Sequence, residues 1–412
     1  MTLIKKISNG VVAPKGFVAS GITCGIKKSG KKDLMLLKSE IPCNTVGAFT
    51  SNKVKAFCVD YNLEQLSDNL AQAIIVNSGN ANCLTGSRGQ KDNINMAKAC
   101  ATQMGIDKAL VLTASTGIIG EYMPIQKVLG AVPKLVRSLK SNAAANSNAA
   151  KAILTTDRKS KSTAVEFLIG SKPVRIGIVA KGAGMIHPKM TISGQKHATM
   201  LCFITTDAVI SKTCLKKAFS FAIDEAFNSI SVDADMSTND MTLLMANGLA
   251  KNKSIIAHSK EFKLFQTALT DICCVMAKQM IRDAEGATKF VEIRVNGAKS
   301  VLDARAVALS VASSKLVKTA FFGSDPNWGR IAASIGYANA NVDADKLKIS
   351  LGNYLVLKGR AHKAVKKTDL NRVFAKKEII VSIDLGLGKH GARVWTTDLS
   401  LGYVRFNSAY HT

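Results

Sequence analysis

The chain has 412 residues, a formal net charge of +27, and a composition that is 47% hydrophobic and 21% charged. This length can hold two or three domains with a large core, and the composition excludes a disordered or fibrous protein. No run reaches the roughly 18 apolar residues that span a bilayer, and the first residues lack an apolar signal core, so we expect a cytoplasmic protein without a membrane partner.

Short apolar runs alternate with helical patterns along nearly the whole chain, which predicts a mixed α/β fold of layered sheets and helices. Strands are predicted at residues 73–77, 110–113, 163–169, 174–180, 290–295 and 378–385. Helices are predicted at residues 91–104, 124–139, 147–154, 214–228, 261–282 and 306–320. Irregular segments are predicted at residues 114–120, 181–197 and 386–392. No Gly-x-Gly-x-x-Gly follows a strand and no Walker motif occurs, which argues against a Rossmann fold.

The irregular segment 181–197 leads directly into Ala-Thr-Met-Leu at 198–201, where a buried strand is predicted to begin. A Gly- and Lys-rich segment that ends at such a Thr is a place where the chain could be cut. Cleavage before Thr199 would leave this residue as a new N-terminus, held by the sheet behind it.

The excess positive charge lies in short clusters, of which residues 27–32 and 158–161 are examples. No aromatic side chains interleave with these clusters as they do in RNA-binding proteins. We therefore interpret them as solvated lysine faces, which would also attract carboxylate substrates, and expect no nucleic-acid partner. A basic nucleic-acid-binding protein remains an alternative, based on charge alone.

The residue types that bind metals show no metal-site spacing. The nine cysteines include no Cys-x-x-Cys pair, which favours buried thiols in a reducing compartment. We expect His187 and His197 to be solvent-exposed loop residues. The alternating carboxylates of residues 233–240 lack the Gly and the final Glu of a calcium loop, so this run is predicted to be a structured turn near the functional site, and no metal is expected.

Several short motifs are unusual for pure scaffolding. They are Asn-Ser-Gly-Asn at 77–80, Ser-Thr-Gly at 115–117, Thr-Thr-Asp at 155–157, Gly-Ala-Gly-Met-Ile at 182–186, Ala-Thr-Met-Leu at 198–201, Ser-Thr-Asn-Asp at 237–240, Asp-Ala-Glu-Gly at 283–286 and Asp-Pro-Asn-Trp-Gly-Arg at 325–330. In this order they resemble the ornithine acetyltransferase (glutamate N-acetyltransferase) family of arginine biosynthesis over essentially the full length. The resemblance implies a layered sheet-and-helix sandwich of the self-cleaving N-terminal-nucleophile type.

The resemblance also implies a cut between Ala198 and Thr199. The products would be an alpha fragment, 1–198, and a beta fragment, 199–412, with Thr199 as the nucleophile. A Thr hydroxyl is a weak nucleophile, but its own free α-amine can act as an adjacent general base. Seven residues, Thr191 to His197, separate the two anchoring motifs that are contiguous in the family, and this insertion puts the efficiency of self-cleavage in question.

Further positions of the site follow from the same resemblance. Thr116 and Gly117 match the pair that stabilises the oxyanion. The substrate-binding positions match Thr155, Thr156, Lys181, Thr199, Glu285, Asn407 and Thr412. The implied reaction is a ping-pong transfer of acetyl from N-acetylornithine to glutamate without a cofactor.

Some members of the family also use acetyl-CoA as the donor, and the family implies a heterotetramer of alpha and beta fragments. A self-processing aminopeptidase or amidase of related fold, which would transfer the acyl group to water, remains the nearest alternative. Asn407 and Thr412 together with Lys181 favour an amino-acid acceptor.

Overall fold

The computed structural model describes residues 4–187, 190 and 200–409. The strands in this part of the chain are β1 (Lys5–Ile7), β2 (Phe17–Ile22), β3 (Leu34–Phe49), β4 (Leu70–Asn80), β5 (Val111–Ile118), β6 (Lys161–Ile169), β7 (Lys172–Lys181), β8 (Leu201–Thr206), β9 (Ile230–Ser231), β10 (Met241–Ala246), β11 (Phe290–Ala298), β12 (Lys348–Leu351), β13 (Tyr354–Lys358), β14 (Ala361–His362), β15 (Glu378–Asp384) and β16 (His390–Thr397). The α-helices are α1 (Phe57–Gln65), α2 (Gly86–Met104), α3 (Ile125–Arg137), α4 (Ala143–Ala152), α5 (Lys212–Glu225), α6 (Lys260–Arg282), α7 (Val301–Ser313), α8 (Lys315–Phe322), α9 (Trp328–Gly336), α10 (Lys367–Ala375) and α11 (Leu401–Ala409).

The strands form two sheets. The larger sheet has the order β1-β6-β7-β8-β10-β3-β4-β5, with β2 also paired to β3. The smaller sheet has the order β14-β13-β12-β15-β11-β16-β9. Parallel and antiparallel pairs occur in both sheets, which confirms the prediction of a mixed α/β fold.

The long strand β3 divides the larger sheet into two layers. Its first part pairs with β4, its last part pairs with β10, and the register with β4 shifts between Lys38 and Cys43. One apolar core contains Val76 and Leu112 from one layer and Val179 and Phe203 from the other. Since side chains of both layers share this core, the two layers face each other.

Helices cover the outer face of each layer. On the β6–β10 layer, Phe219 of α5 and Leu269 of α6 pack with Ile204 of β8. On the β4–β5 layer, Met96 of α2 and Val128 of α3 pack with apolar side chains of these strands. The order helix, sheet, sheet, helix confirms the predicted layered sandwich.

The smaller sheet packs against α7, α8, α9 and α10 around a separate apolar core. The short strand β9 joins this sheet by pairing in parallel with β16. Helix α11 follows the sheet, and its residue Tyr403 returns to hydrogen-bond with Asp233. Asp233 also accepts the backbone N–H groups of Met185 and Ile186, so the C-terminal part of the chain reaches back to the segment that follows β7.

Three element predictions were wrong. Residues 114–118 were predicted to be irregular but belong to β5, because Ser78↔Thr116 and Gly79↔Gly117 continue its parallel pairing with β4. The single helix predicted at 306–320 is two helices, since Ser314 has extended dihedral angles and caps α8. The irregular segment predicted at 386–392 is shorter than expected, because β16 begins at His390.

Several predicted features lie outside the described residues. They are the cut between Ala198 and Thr199, the insertion from Thr191 to His197, and the binding position Thr412. The division into fragments 1–198 and 199–412 therefore stays a prediction.

Candidate active site

A cavity of about 270 Å³ opens where β5 and β7 end on the two facing layers. Its lining residues are Thr116, Gly117, Ile119, Thr155, Thr156, Lys181, Gly184, Met185, Asp233, Asp235, Met236, Ser237, Thr238, Asn239, Glu285, Tyr403 and Asn407. Seven of the residues singled out from the sequence are among them: Thr116, Gly117, Thr155, Thr156, Lys181, Glu285 and Asn407. Segments far apart in sequence thus converge on one cavity.

Thr116 and Gly117 enter the cavity from the end of β5. Gly117 has a φ of 137°, and a Cβ atom placed on it would lie 2.3 Å from the carbonyl carbon of Gly79. Only glycine fits there, because the neighbouring strand passes too close for a side chain. This close approach leaves Thr116 at the edge of the cavity, with its side chain buried.

A buried amide holds this strand end in place. Asn239 Nδ2 donates to the carbonyl oxygen of Ala81 at 2.7 Å and to that of Ser115 at 2.9 Å. The hydroxyl of Ser115 donates in turn to Asn77 Oδ1 at 2.6 Å. These bonds use groups of the Asn-Ser-Gly-Asn, Ser-Thr-Gly and Ser-Thr-Asn-Asp motifs, so the three motifs form one structural unit beside Thr116.

Lys181 ends β7 and projects toward the opposite layer. Its Nζ atom donates to Thr155 Oγ1 at 2.8 Å and to Thr116 Oγ1 at 3.4 Å. Burial lowers the pKa of this ammonium group, and the carboxylate of Asp157 opposes the shift. A buried ammonium group at the cavity wall is suited to bind an anionic part of a ligand.

A buried ionic network lies behind Lys181. Lys161 Nζ lies 2.7 Å from Asp157 Oδ1 and 2.6 Å from Asp283 Oδ2, and its side chain is only 2% exposed. Burial opposes ionisation of Asp157, but Lys181 and Lys161 outweigh this effect and lower its pKa. The expectation that residues 158–161 form a solvated lysine face was wrong for Lys161, because its two carboxylate partners draw it into the interior.

Glu285 reaches the cavity from the loop after α6. Its Oε2 atom accepts a hydrogen bond of 3.1 Å from Asn407 Nδ2 on α11. A Cβ atom on Gly184 would lie 2.2 Å from the same Oε2 atom. Glycine at 184 therefore leaves the space that this carboxylate occupies.

The sequence reasoning missed Asp233 and Tyr403 as individual lining residues. Asp233 accepts hydrogen bonds from the backbone N–H groups of Met185 at 2.7 Å and Ile186 at 2.9 Å, and from the Tyr403 hydroxyl at 3.2 Å. Burial raises the pKa of this carboxyl to about 6. The expectation of a structured turn at 233–240 was met. Tyr403 lies four residues before Asn407, and this spacing puts both residues on one face of a helix.

Two further expectations were wrong. Lys27, expected to be solvated, is partly buried, and its Nζ donates to the carbonyl oxygen of Leu154 at 2.6 Å, one residue before Thr155. Burial lowers its pKa to about 8. His187, expected to be exposed, is partly buried, and its Nδ1 atom lies 3.0 Å from the Ser231 hydroxyl.

The cysteines behave as predicted. All nine lie in the described part of the chain, none is in a disulfide, and all except Cys24 are buried. Burial raises the pKa of Cys43, Cys58 and Cys100 to about 12, so these thiols are poor nucleophiles at neutral pH.

Within residues 4–187, 190 and 200–409, no group of three or more His, Cys, Asp or Glu side chains is placed to hold a metal ion. Among the helices of these same residues, none combines the length and the apolar character that crossing a membrane requires.

The charges of the cavity suit a small zwitterion. Its described lining includes one ammonium group, that of Lys181, and the carboxyl groups of Asp233, Asp235 and Glu285. A ligand with both a carboxylate and an ammonium group can pair with each kind of side chain. Thr116 and Gly117 also line the cavity, beside the place where a third, polar group of such a ligand would lie.

Comparisons with known proteins identify related chains over nearly the full length. The model of the ArgJ family matches residues 18–412. The arginine biosynthesis bifunctional protein ArgJ of Symbiobacterium thermophilum is 41% identical over 408 residues, which cover 98% of this chain and 99% of that protein. The protein of the same description from Caldanaerobacter subterraneus subsp. tengcongensis is 43% identical over 403 residues, covering 97% and 98% of the two chains.

Among solved structures, the chain is similar to ornithine acetyltransferase from Mycobacterium tuberculosis, described as complexed with ornithine. The identity is 35%, the alignment covers 46% of this chain and 100% of that chain, and the TM-score is 0.44.

Proposed function

We propose that this chain, which belongs to the ArgJ family, transfers the acetyl group of N2-acetyl-L-ornithine to L-glutamate in arginine biosynthesis. The proposed nucleophile is Thr199, which self-cleavage would leave as a new N-terminus. One observation carries the proposal: Thr116, Gly117, Thr155, Thr156, Lys181, Glu285 and Asn407 line a single cavity. Both substrates are zwitterions with a carboxylate and an ammonium group, which matches the mixed charges of this cavity.

The register of β8 supports the position of the nucleophile. Leu201 pairs directly with Lys181, and directly opposed residues of an antiparallel pair point to the same face of a sheet. Thr199 is two residues before Leu201, and residues two apart on a strand share a face. A strand continued to 199 would therefore present its hydroxyl on the face from which Lys181 reaches Thr116.

In the first half of the cycle, the α-amine of Thr199 takes the proton from the Thr199 hydroxyl, and Oγ1 attacks the acetyl carbonyl carbon. The Thr116 hydroxyl and the Gly117 N–H donate to the oxyanion that forms. When the carbon–nitrogen bond breaks, the α-ammonium group returns the proton to the leaving nitrogen. Ornithine departs, and acetyl stays on Thr199 as an ester.

In the second half, the neutral α-amine of glutamate attacks the ester carbonyl, and the same two donors stabilise the second oxyanion. Collapse breaks the ester bond, forms N-acetylglutamate and returns the proton to Thr199 Oγ1. No atom beyond those of the two substrates is consumed, so the proposed cycle needs no cofactor. Acetyl-CoA belongs to the proposal as a second acetyl donor that acylates the same hydroxyl.

The sheet supports continued association of the fragments after the cut. Strands β8 and β10 of the proposed beta fragment lie between β7 and β3 of the proposed alpha fragment. Separation would break both the β7–β8 and the β10–β3 ladders and expose buried side chains. We propose that the two fragments remain together, assemble further into a heterotetramer and act in the cytoplasm on small-molecule substrates.

The family favours transfer to an amino acid over transfer to water by an aminopeptidase or amidase. The test is to incubate the purified protein with acetyl-labelled N2-acetyl-L-ornithine, with and without L-glutamate, beside Thr199→Ala. Label in N-acetylglutamate, absent with the variant, supports the proposal. Release of labelled acetate at the same rate with and without glutamate would instead identify a hydrolase.

A further inference from the structure

We propose that Lys161 is a positioning residue that occupies the carboxylate of Asp157 and thereby keeps the ammonium group of Lys181 available to the substrate. This inference rests on the proposed function, because it assigns Lys181 to the substrate's carboxylate. Lys161 itself is not among the residues that line the cavity, so its effect passes through Asp157.

The geometry around Asp157 shows two lysines beside one carboxylate. Lys161 Nζ lies 2.7 Å from Oδ1, whereas Lys181 Nζ lies 4.0 Å from Oδ2. Oδ1 also accepts the backbone N–H of Gly182 at 2.8 Å. Lys161 therefore makes the close ion pair, and Lys181 stays beyond hydrogen-bond distance of the same group.

The ammonium group of Lys181 donates its hydrogen bonds to groups other than Asp157. Its Nζ donates to Thr155 Oγ1 at 2.8 Å and approaches Thr116 Oγ1 at 3.4 Å, and both hydroxyls lie on the cavity wall. A close pair with Asp157 would offset the positive charge of this ammonium group and turn it away from the cavity. A carboxylate ligand would then meet a weaker and misplaced partner.

A second carboxylate holds Lys161 on its other side. Asp283 Oδ2 lies 2.6 Å from Lys161 Nζ and also accepts the backbone N–H groups of Arg158 and Lys159, each at 3.2 Å. Asp283 is two residues before Glu285 in the loop after α6. Lys161 thus joins the loop that carries Thr155 to the loop that carries Glu285, and fixes the distance between two walls of the cavity.

Replacing Lys161 with Met removes the charge and keeps a side chain of similar length. Asp157 would then pair with Lys181, and the KM for N2-acetyl-L-ornithine would rise about tenfold or more, as expected for weakening one charge-assisted contact. The alkaline limb of kcat/KM would move to higher pH, because an ion pair with Asp157 favours the charged form of Lys181. Arg158→Met is the matched control, since Arg158 faces solvent and contacts the same Asp283 only at 3.7 Å.

The decisive variant is Lys161→Met combined with Asp157→Asn. An amide at 157 can still accept the Gly182 N–H but cannot hold the Lys181 ammonium group as an ion pair. The KM should return to within about threefold of the wild-type value. The alkaline limb of kcat/KM should return to its wild-type pH as well. A KM that stays raised tenfold in the double variant would show that Lys161 acts otherwise, and would overturn the proposal.

These experiments distinguish a failure of the role assigned to Lys161 from a failure of the proposed function. An unchanged KM for Lys161→Met, in a wild-type protein that transfers acetyl, overturns the role of Lys161 alone. If Lys161→Met does not fold, the double variant, which removes one charge of each sign, decides by the same KM criterion. A wild-type protein without any transfer contradicts the proposed function itself.

Discussion

The Nζ atom of Lys181 lies 3.4 Å from Oγ1 of Thr116, although 65 residues separate them in the chain. Lys181 ends β7, and Thr116 lies two residues before the end of β5. These strands belong to facing layers of one folded sheet, and Lys181 spans the space between the layers. This contact joins the substrate-binding and the oxyanion-binding parts of the proposed site. It also predicts how substitutions at either residue should affect the proposed site.

Thr116→Ala should lower kcat for acetyl transfer by about 100- to 1000-fold, because one donor to the oxyanion is removed. Thr116→Ser keeps a hydroxyl and should retain most of the activity. Single-turnover formation of the acetylated enzyme measures the step directly. A kcat within a few fold of wild type for the Ala variant would remove Thr116 from the chemistry.

Gly184→Ala should raise the KM for N2-acetyl-L-ornithine about tenfold, because the new Cβ atom would lie 2.2 Å from Glu285 Oε2 and displace this carboxylate. Steady-state kinetics at several substrate concentrations separate KM from kcat. Gly130→Ala, on α3 with open space around its Cβ position, is the control and should leave the KM unchanged. Equal kinetic effects of both substitutions would contradict the role assigned to Glu285.

Asp233→Asn should change how stability depends on pH. Burial raises the pKa of Asp233 from 3.8 to about 6, so this carboxyl stabilises the fold below about pH 4, and the contribution is lost as the pH rises through about 6. The charged groups around it are Asp235 and, from other elements, Lys318, while Tyr403 donates a hydrogen bond. Asparagine cannot titrate, so the variant should gain stability relative to wild type between pH 4 and 7.

Calorimetric Tm values of both proteins at equal concentration, taken at half-unit steps across this range, measure the effect. A pKa raised from 3.8 to about 6 corresponds to roughly 3 kcal/mol as an upper bound. A constant Tm difference from pH 4 to 7 would show that the Asp233 carboxyl has an ordinary pKa.

The sequence predicted much of the fold because its strands and helices have clear periodicity. The apolar run at 73–77 is the buried centre of β4, and the helical spacing of 261–282 agrees with α6 to within one residue at its start. Residues 114–118 were missed because pairing with β4, a tertiary contact, extends β5 through a segment whose Ser, Thr and Gly residues favour turns locally.

The motifs identified the cavity residues, but they could not give their surroundings. Lys161 looks like part of a basic surface cluster in the sequence, and its burial depends on Asp283, which is 122 residues away. Asp233 and Tyr403 are likewise 170 residues apart. Local patterns carry no information about such partners, whereas the four-residue spacing of Tyr403 and Asn407 could have pointed to Tyr403 once Asn407 was assigned.

The central claim is that the chain cuts itself before Thr199 and uses the freed residue as its nucleophile. The intact mass and the N-terminal sequence of the purified wild-type protein, compared with those of Thr199→Ala, test it most directly. The account predicts two wild-type fragments that meet at Ala198/Thr199 and a single full-length variant. One uncut chain in both proteins would contradict it and would show that the chain with its insertion at Thr191–His197 does not process itself.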